Sequence, residues 1–574
     1  MIPIYQYQLF WVILGQMIGI ASYIAIPNPS LFFILIPFSL MYFLRKSIYL
    51  FFLIGLAIGF TRITHRINVL RYEKPQFTHF NGKIEKAHKS KNGYSSLIKL
   101  NDTQKYIRVK INDEYISELN FKKGSNISGN IKLYDVPSPC LSEAKDIRYR
   151  EYFSQIISYG NAYNISIIPQ SNSFFQDKIE SSIKDNFHHP ESTIFQTILL
   201  GKSSEIPYEI KESFQNSSIS HLLAISGLHI GMIMLFFYAI IRWAIYFCVY
   251  RLYIMPIVSI SKIFAICGAI LYLSLIEISI SSIRSIIMAI FPIISYFSHR
   301  KTVSSHGLMS SIFILLSIWP ESLLYPSFQF SCAAVFGLIS FKSNFKNYFA
   351  QIAFSTLICS IITLPLTIYW FNQAPIQPFL ANMICIPIMF IIMSLTVLWL
   401  LLFKFGMSFL ILNKSISLLI SLLIYLSRIF SNLLNSVLLF HQISWISTSL
   451  CMISFLIMTN EKYRKISLIL FIPFVIEIFN KPNNMFVISR SGEVAILQDG
   501  ILHAKEENFT TNCWAKTLGA KLSIDNMVKS SVKFTYKRDR RNNRRIHSIK
   551  LNNGHGYTLS KQDLNDCPCK IKLF

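Results

Sequence analysis

The segment LLGKSSEIPYEIKESFQNSSISHLLAISGLHIGM, residues 199–232, leads from an amphipathic stretch into an apolar helix. It places His221, Ser226, Gly227 and His229 close to the start of that helix. Polar and ionisable side chains are costly at membrane depth, so they usually line a cavity or a path. The segment therefore predicts a polar path at a membrane helix. The alternative is a helix cap at Ser226, with His221 at the membrane interface.

The composition extends the membrane interpretation to most of the chain. Of its 574 residues, 52% are hydrophobic and 15% are charged, whereas a soluble protein carries about a quarter charged residues. The apolar residues come in runs long enough to cross a bilayer. This excludes a soluble multidomain protein, a disordered chain and a disulfide scaffold. The pattern predicts a polytopic α-helical membrane protein.

The apolar runs divide the chain into four regions. We predict N-terminal membrane helices in 1–61 (apolar runs 7–26, 31–44 and 48–61), a soluble domain with an amphipathic linker in 62–192, a domain of roughly ten membrane helices in 193–479 and a short basic tail in 480–574. Arg45 and Lys46 separate the second and third apolar runs. Basic loops tend to be cytoplasmic, so the third helix should deliver residue 62 to the outer face.

The soluble region reads as a small all-β domain. FNGKIEKAHKS, YSSLIKLN, KYIRVKIND and NISGNIKLYDV, from Phe80 to Val136, alternate polar and apolar side chains between turn residues. Their number and spacing predict a small β-barrel or sandwich. An OB-like barrel, a fold that often binds single strands, fits the length, but periodicity does not distinguish it from other small β domains. The following DIRYREYFSQIISYG, from Asp146 to Gly160, is predicted to be helical. In the tail, FVISRSGEVAIL predicts a hairpin around Ser491-Gly492.

The chain is strongly basic, with 55 Lys and Arg against 29 Asp and Glu and a formal charge of +26. Each region is net basic, and KRDRRNNRRIHSIK, which starts at Lys537, is the densest basic run. An excess of this size favours a polyanionic partner, either nucleic acid or anionic lipid. Positive-inside loops and an AT-rich coding sequence are the alternative explanation.

The ten cysteines indicate neither a disulfide framework nor a cofactor site. Six lie in apolar runs, where cysteine behaves as a small hydrophobe: Cys248, Cys267, Cys332, Cys359, Cys385 and Cys451. Cys140 is alone in the soluble region, so it cannot form a bridge within that region. Cys567-Pro-Cys569 lacks CxxC spacing; with Cys513 and His555 it leaves a metal site as a minor alternative. We predict no metal and no cofactor.

Further polar side chains interrupt the apolar segments. Glu277 and Arg284 are seven residues apart and share a face if one helix continues. They either pair or face other charges, and an Arg facing a channel is a natural phosphate contact. Gln329 and Asn382 lie in segments that prolines are predicted to break, at Pro326, Pro365, Pro375, Pro378 and Pro387. Irregular backbone at membrane depth suits a wet cavity or a packed bundle.

A hydrolase is the competing class. Ser226 and His229 are three residues apart and could meet on one helical face, which suggests an intramembrane serine hydrolase. However, a catalytic base usually comes from another element and needs an orienting group. The Gly-x-Ser-x-Gly elbow is absent. The sequence also has no Walker A loop, so it should not drive transport by its own ATP hydrolysis.

Four motifs in order resemble the ComEC family of bacterial competence proteins. They are DIRYREYFSQIISYGNAY with Tyr152 and Gly160, HLLAISGLHIGM, LLYPSFQFSCAAVFGL and TLPLTIYWFNQAPIQPFLANMICIP. The resemblance covers about residues 1–480. It implies an inner-membrane channel that carries transforming DNA inward as a single strand, with an outward-facing OB-like domain. Arg284 carries over, although IEISISSIR lacks the Gly and Pro common there.

The same resemblance indicates a short family member. The sequence lacks HxHxDH and has no room for the metallo-β-lactamase-like domain of longer members, so the nuclease should be a separate chain. We therefore expect a DNA channel rather than an enzyme. Expected partners are single-stranded DNA, the lipid bilayer, a DNA receptor, the nuclease, a cytoplasmic motor and possible further copies of the chain. A hydrolase centred on Ser226 and a transporter of another polyanion or lipid are the alternatives. The expected path residues are His221, Ser226, Gly227, His229, Glu277, Arg284, Gln329 and Asn382.

Overall fold

The fold comes from a computed structural model of the chain. It describes residues 8–25, 47–70, 78–90, 93–103, 105–112, 124–137, 139–141, 144–168, 174–201, 206–223, 227–249, 257–275, 283, 286–287, 304–341, 345, 347–375, 378–405, 410–432, 437–480, 485–488, 494–504, 509–524, 532–537, 545–551, 556–558 and 569–572. The chain forms two compact units. The first comprises Met1–Val136, Tyr149–Ser360 and Gln377–Ser436, and the second comprises Pro137–Arg148, Ile361–Ile376 and Val437–Phe574.

The N-terminal region contains two closely packed helices, α1 (Gln8–Ala25) and α2 (Ser47–Leu70). The predicted apolar run 31–44 lies outside the described residues. Each helix carries a Gly-x-x-x-Gly pair: Gly15 with Gly19, and Gly55 with Gly59. A Cβ atom on Gly55 would lie 1.8 Å from the Val12 carbonyl oxygen. The two backbones therefore meet without intervening side chains, as small residues allow in membrane helices.

Helix α2 continues past the apolar run that predicted it. Its last turns carry Arg62 and Arg66 toward α9 (Ser304–Ile318) and the 3₁₀ turn Pro320–Leu324. The Arg62 side chain donates to the Ser317 carbonyl at 2.5 Å, and Arg66 pairs with the buried carboxylate of Glu321 at 3.0 Å. The polar end of the helix is thus held by acceptors from a distant segment, which local periodicity did not reveal.

The soluble region forms a closed five-stranded barrel with strand order β1-β2-β3-β5-β4. Its strands are β1 (His79–Ser90), β2 (Gly93–Leu100), β3 (Tyr106–Ile111), β4 (Asn126–Tyr134) and β5 (Ile156–Ile168). Strands β3 and β5 are parallel, and the other neighbours are antiparallel. The four predicted strands are confirmed. Isoleucines dominate the core, together with Phe80 and Val109.

The predicted helix after the barrel's fourth strand was wrong in its second half. Helix α3 covers only Arg148–Phe153, and the chain then becomes β5. Gln155 adopts a left-handed conformation with φ of 59°, which ends the helix. The barrel needs this strand because it closes the gap between β3 and β4. Two residues of the DIRYREYFSQIISYGNAY motif hold α3 and β5 in place. The Tyr152 hydroxyl donates to the Ile67 carbonyl at 3.2 Å, and Gly160 packs against Ile131.

The helical region is long and mostly apolar. Its described helices are α4 (Phe174–Asn186), α5 (Glu191–Leu200), α6 (Tyr208–Asn216), α7 (Gly227–Val249), α8 (Ile257–Leu275), α9, α10 (Pro326–Ser340), α11 (Tyr348–Phe371), α12 (Pro378–Lys404), α13 (Leu410–Asn432), α14 (Trp445–Met458) and α15 (Arg464–Phe479). Four contain spans long and apolar enough to cross a membrane: Gly227–Phe247, Ala350–Phe371, Phe379–Lys404 and Leu410–Asn432. This is the architecture of a polytopic membrane protein.

The predicted proline breaks were wrong at two positions. Pro326 and Pro378 begin helices and Pro375 lies in the short strand β6 (Gln373–Pro375), but Pro365 and Pro387 lie inside continuous helices. A proline removes one helical hydrogen bond. Membrane helices tolerate this because neighbouring groups and local adjustments satisfy the remaining carbonyl.

The predicted tail contains a folded sheet. Strands β8 (Met485–Ile488), β9 (Val494–Gln498), β10 (Ile501–Ala504), β11 (Lys521–Ile524) and β15 (Cys569–Lys572) form it in the order β11-β10-β9-β8-β15. Helix α16 (Phe509–Leu518) precedes β11, and a second sheet holds β12 (Val532–Lys537), β13 (Arg545–Leu551) and β14 (Gly556–Thr558). The β8–β9 pairing confirms the predicted hairpin.

The sequence did not predict the disulfide that Cys140 forms. Cys140 does not bridge within its own region, as expected, but it forms a disulfide with Cys513 in α16. The two residues are 373 positions apart. A disulfide between two polar regions cannot be predicted from the cysteines of each region taken by themselves.

The α1–α2 contact generates a stability prediction. Gly55→Ala should lower the thermal stability of the detergent-solubilised chain by about 1–3 kcal/mol, the usual cost of overpacking, because the new methyl group meets backbone atoms. Gly231→Ala in α7 is the matched control, since a Cβ there has nothing within 4 Å. Size-exclusion chromatography after a heating series measures both. Equal stability of the two variants would contradict the packing described here.

Candidate functional site

The centre of the helical region is built around α5, a helix buried on every side. All nine residues from Ser192 to Leu200 are buried, including Gln196, which is 2% exposed. The Tyr272 hydroxyl, from α8, donates to the Ile198 carbonyl at 3.0 Å. Within the described part of the chain, the Gln196 Nε2 atom has no hydrogen-bond partner. A short helix with an unsatisfied amide therefore lies in the interior.

An apolar cluster surrounds this amide. It takes residues from α4 to α8, α12 and α13, and its fully buried members include Ile198, Phe214, Leu222, Ile230, Met389 and Ile420. Burying a polar group without a hydrogen bond costs about 1–3 kcal/mol in proteins. Such groups are therefore uncommon and need a physical reason, such as water or a ligand.

His229 and His221 are brought close together at the start of α7. His229 is completely buried, and its imidazole is hydrogen-bonded to the backbone of Leu222 and lies near enough to His221 to interact electrostatically. His221 is exposed, in the 3₁₀ turn Ser220–Leu222, with its Nδ1 atom 3.1 Å from the Ser218 carbonyl oxygen. His229 is therefore buried in the core, and His221 is exposed.

Asn382 is another amide with a buried, unsatisfied atom in the helical region. It lies in the first turns of α12, between the fully buried Ala381 and Cys385 of the apolar cluster. Its Oδ1 atom has no hydrogen-bond partner among the described residues. Gln196 and Asn382 therefore place two unsatisfied polar atoms on helices that share one apolar core. Asn382 was among the predicted path residues and Gln196 was not, and the polar path itself stays a prediction.

The other predicted path residues divide into two groups. Gln329 is used structurally, because its Nε2 atom donates to the Leu323 carbonyl at 2.8 Å and closes the turn before α10. Gly227 is the first residue of α7. Ser226, Glu277 and Arg284 lie outside the described residues, so the pairing of Glu277 with Arg284 and the meeting of Ser226 with His229 stay predictions.

Polar contacts fasten α13 to the helices that precede α7. The Asn413 side chain accepts from the Trp399 indole and donates to Asn186, both at 3.0 Å. Ser421 donates to the Glu191 carboxylate at 2.7 Å. These contacts use polar residues that the sequence analysis did not single out. Their signal was present in α13, whose polar residues recur on one face of an otherwise apolar helix.

The barrel carries a second candidate surface, which we call the lysine–tyrosine face: Lys110, Lys132, Tyr134, Asn161 and Tyr163. The strand register places Lys110 beside Asn161 and Asn161 beside Lys132, in one row across β3, β5 and β4. All five residues are exposed, and the Tyr134 hydroxyl donates to Asn161 at 3.1 Å. Neighbouring strands are about 4.8 Å apart, so the two lysines bracket a strip about 10 Å wide.

A neighbouring arginine behaves differently from these lysines. Arg108 lies on β3 beside Tyr159, and its guanidinium contacts both oxygens of the buried Glu151 carboxylate at 3.1 and 3.4 Å. This pair neutralises one cation and fixes α3 against the barrel. The unpaired positive charge of the face therefore comes from the two exposed lysines.

The described residues contain no group of three or more His, Cys, Asp or Glu side chains that could hold a metal ion. The candidate residues can supply hydrogen bonds, aromatic stacking surfaces and positive charge. The helical interior offers amides and an imidazole, and the barrel offers ammonium groups and phenol rings. Both sets suit recognition of a polyanion with aromatic groups.

The two asparagines make a matched pair for a stability test. Asn382→Leu should keep or raise the thermal stability of the purified chain, because it removes an unsatisfied buried oxygen. Asn413→Leu should lower it by about 1–3 kcal/mol, because it leaves the Trp399 indole and the Asn186 side chain without their partner. Thermal unfolding in detergent, followed by intrinsic tryptophan fluorescence, measures both. Destabilisation by Asn382→Leu as large as that by Asn413→Leu would show that the Asn382 oxygen is satisfied.

Comparison with known proteins identifies the helical region. A family model described as "Competence protein" matches residues 198–465. ComE operon protein 3 of Bacillus subtilis (strain 168) is 29% identical over 206 residues, which cover 34% of this chain and 25% of that protein. The chain therefore matches about a quarter of the length of this relative. No solved structure matches. Through residues 198–465, which include α7 and both histidines, this chain is similar to the competence protein family.

Proposed function

We propose that this protein is a channel of the bacterial inner membrane that passes single-stranded DNA into the cytoplasm during DNA uptake. The observation that carries the proposal is the position of His229 and Asn382. Both lie in the segment that matches the competence family; His229 is fully buried, and the Asn382 side-chain oxygen is buried without a hydrogen-bond partner among the described residues. The family model that matches this segment is described as "Competence protein".

The polar interior suits a strand that must be guided without being held. A path through the membrane needs polar groups that can exchange partners with water or with the moving chain. The Asn382 oxygen and the Gln196 amide have this property because neither is committed to a protein partner in the described region. Strong fixed charges would trap a phosphate backbone, whereas neutral amides and a buried imidazole do not.

The barrel supports the same proposal as an entrance domain. Its strand order, with β1 paired to β4 and β3 parallel to β5, is the arrangement expected of an OB-type barrel. Such barrels bind single strands by stacking bases on aromatic rings and by placing basic groups near phosphates. The lysine–tyrosine face supplies both kinds of group, with Tyr134 and Tyr163 as stacking surfaces. We propose that it gathers single-stranded DNA outside the membrane.

The proposed role is transport rather than catalysis. The translocation would depend on a DNA receptor, a separate nuclease and a cytoplasmic motor, and the channel could contain further copies of the chain. The competing hydrolase would need Ser226 as nucleophile. Ser226→Ala and Ser226→Gly distinguish these classes, because a nucleophile tolerates neither change, whereas a close helix contact tolerates both small residues.

The direct test follows fluorescent DNA in cells of the source bacterium with the gene deleted and then restored. Deletion should leave DNA bound outside the inner membrane, and restoration should return it to the cytoplasm. The Asn382→Leu variant should restore the protein to the membrane but not DNA entry. Equal cytoplasmic entry with and without the gene would overturn the proposal.

The lysine–tyrosine face gives a binding prediction. Lys110→Glu together with Lys132→Glu should weaken the binding of a single-stranded oligonucleotide to the full chain in nanodiscs by about tenfold or more at 0.1 M salt, and should flatten its salt dependence by about one unit of slope. Lys211→Glu is the control, an exposed lysine on α6 whose reversal changes charge without touching the barrel. Fluorescence anisotropy across a salt series measures both. Unchanged binding by the double variant would remove the barrel from the proposal.

A further inference from the structure

The sheet β11-β10-β9-β8-β15 and helix α16 together form what we call the C-terminal domain. A distant piece of the chain, Pro137–Arg148, which we call the strap, completes this domain. Leu141 of the strap is fully buried in the core of that domain, among Val487, Leu497 and Trp514. The Trp514 indole donates to the Cys140 carbonyl at 3.0 Å, and Cys140 is disulfide-bonded to Cys513. A core residue, a hydrogen bond and a covalent bond thus join the same two segments.

This shared core constrains the position of the domain relative to the membrane. The strap lies in sequence between barrel strands β4 and β5, and it contains no apolar run that could cross a bilayer. Two segments that build one hydrophobic core must lie on the same side of a membrane. The C-terminal domain and the barrel strands therefore share a compartment.

The strap and the C-terminal domain also contact the ends of membrane helices. Lys145 of the strap donates to the Tyr369 carbonyl and lies over the Tyr369 and Trp370 rings at 4.5 and 4.7 Å, at the end of α11. The contact partly buries the Lys145 ammonium, and this burial lowers its pKa to about 7. In the C-terminal domain, the Thr517 carbonyl accepts from the Gln442 N–H at 2.8 Å.

One glycine shows how close the second of these contacts is. Gly519 has a φ of +65°, and a Cβ there would lie 2.4 Å from the His441 backbone nitrogen. The C-terminal domain therefore lies directly against the connection between α13 and α14, which includes β7 (Val437–Leu439).

The distribution of basic residues identifies the side of these contacts. The connection at the end of α11, 372–377, and the connection between α13 and α14, 433–444, contain no Lys or Arg. The alternate connections are basic: Lys342 and Lys346 precede α11, Lys404 ends α12, Lys462 follows α14, and Arg464 and Lys465 begin α15. Basic loops are cytoplasmic, so the connections without them face outward. Arg45 and Lys46 give the same side for the barrel independently.

We propose that the C-terminal domain lies outside the cytoplasm, where the Cys140–Cys513 disulfide fastens it to the connection between the barrel's last two strands. Disulfides persist in that oxidising compartment and are rare in the cytoplasm. Closure removes two protons and two electrons from the two thiols. A disulfide-bearing oxidoreductase of the same compartment accepts them by thiol–disulfide exchange and leaves as the dithiol.

The choice of cysteine partners agrees with this assignment. The other described cysteines outside β15 lie in apolar helices: Cys248, Cys267, Cys332, Cys359, Cys385 and Cys451. An aqueous oxidoreductase cannot reach thiols inside a bilayer. Cys140 and Cys513 lie in folded polar segments, so the disulfide can form after both segments leave the membrane machinery.

The sidedness test uses two exposed lysines of the full chain in spheroplasts. Lys521→Cys, on β11, should react with a membrane-impermeant maleimide added outside. Lys462→Cys, in the basic connection before α15, should react only after the membrane is permeabilised. The unmodified chain supplies the background. Labelling of Lys521→Cys only after permeabilisation would overturn the proposal.

The covalent link is tested by cutting the chain between the two cysteines. A protease site inserted at the exposed Glu461 divides the purified protein into two fragments. Without reductant, the fragments should run as one band on a denaturing gel, and dithiothreitol should separate them. Cys513→Ser should give separate fragments in both conditions. Separation of the unmodified fragments without reductant would overturn the disulfide. Neither assay involves DNA uptake, so both outcomes are independent of the proposed channel function.

Discussion

The absence of water inside a bilayer is the constraint on which this structure depends. Backbone and side-chain polar groups there must find partners within the protein. Most do so in this chain. Serine and threonine hydroxyls return to their own helix carbonyls, as Thr197 and Thr396 do, and asparagine and glutamate side chains fasten α13 to α4 and α5. Among the described residues, the Asn382 side-chain oxygen departs from this pattern because it has no hydrogen-bond partner, and the proposed path would give it one.

The same constraint explains where the polar parts of the chain are found. The barrel and the C-terminal sheets pair their backbone groups through strands that a bilayer would leave with exposed edges. They are therefore separate folded bodies attached to the helices. Long charged side chains mark the ends of the helices, since Arg66 of α2 reaches the buried Glu321, and Lys145 lies against the aromatic end of α11. Each contact uses a long side chain whose charged group sits at the edge of an apolar region.

The proposed channel and the proposed outward domain are linked by one continuous segment of the chain, the strap. The strap leaves the barrel, enters the C-terminal domain and returns to make β5, so the barrel cannot close independently of the sequence that carries Cys140. The C-terminal domain also contacts the connection between α13 and α14. The Cys140–Cys513 bond joins the strap to this domain covalently.

The sequence by itself determined the elements whose signal is local. Apolar runs identified membrane helices, alternation identified four barrel strands and the β8–β9 hairpin, and motif order identified the competence family. Tertiary structure alone decided β5, the partner of Cys140, the buried position of Gln196 and the two different environments of His221 and His229. These depend on residues brought together from far apart in the chain, such as the 373 positions between Cys140 and Cys513. Local periodicity carries no information about such contacts, because their free energy arises only when the whole core forms.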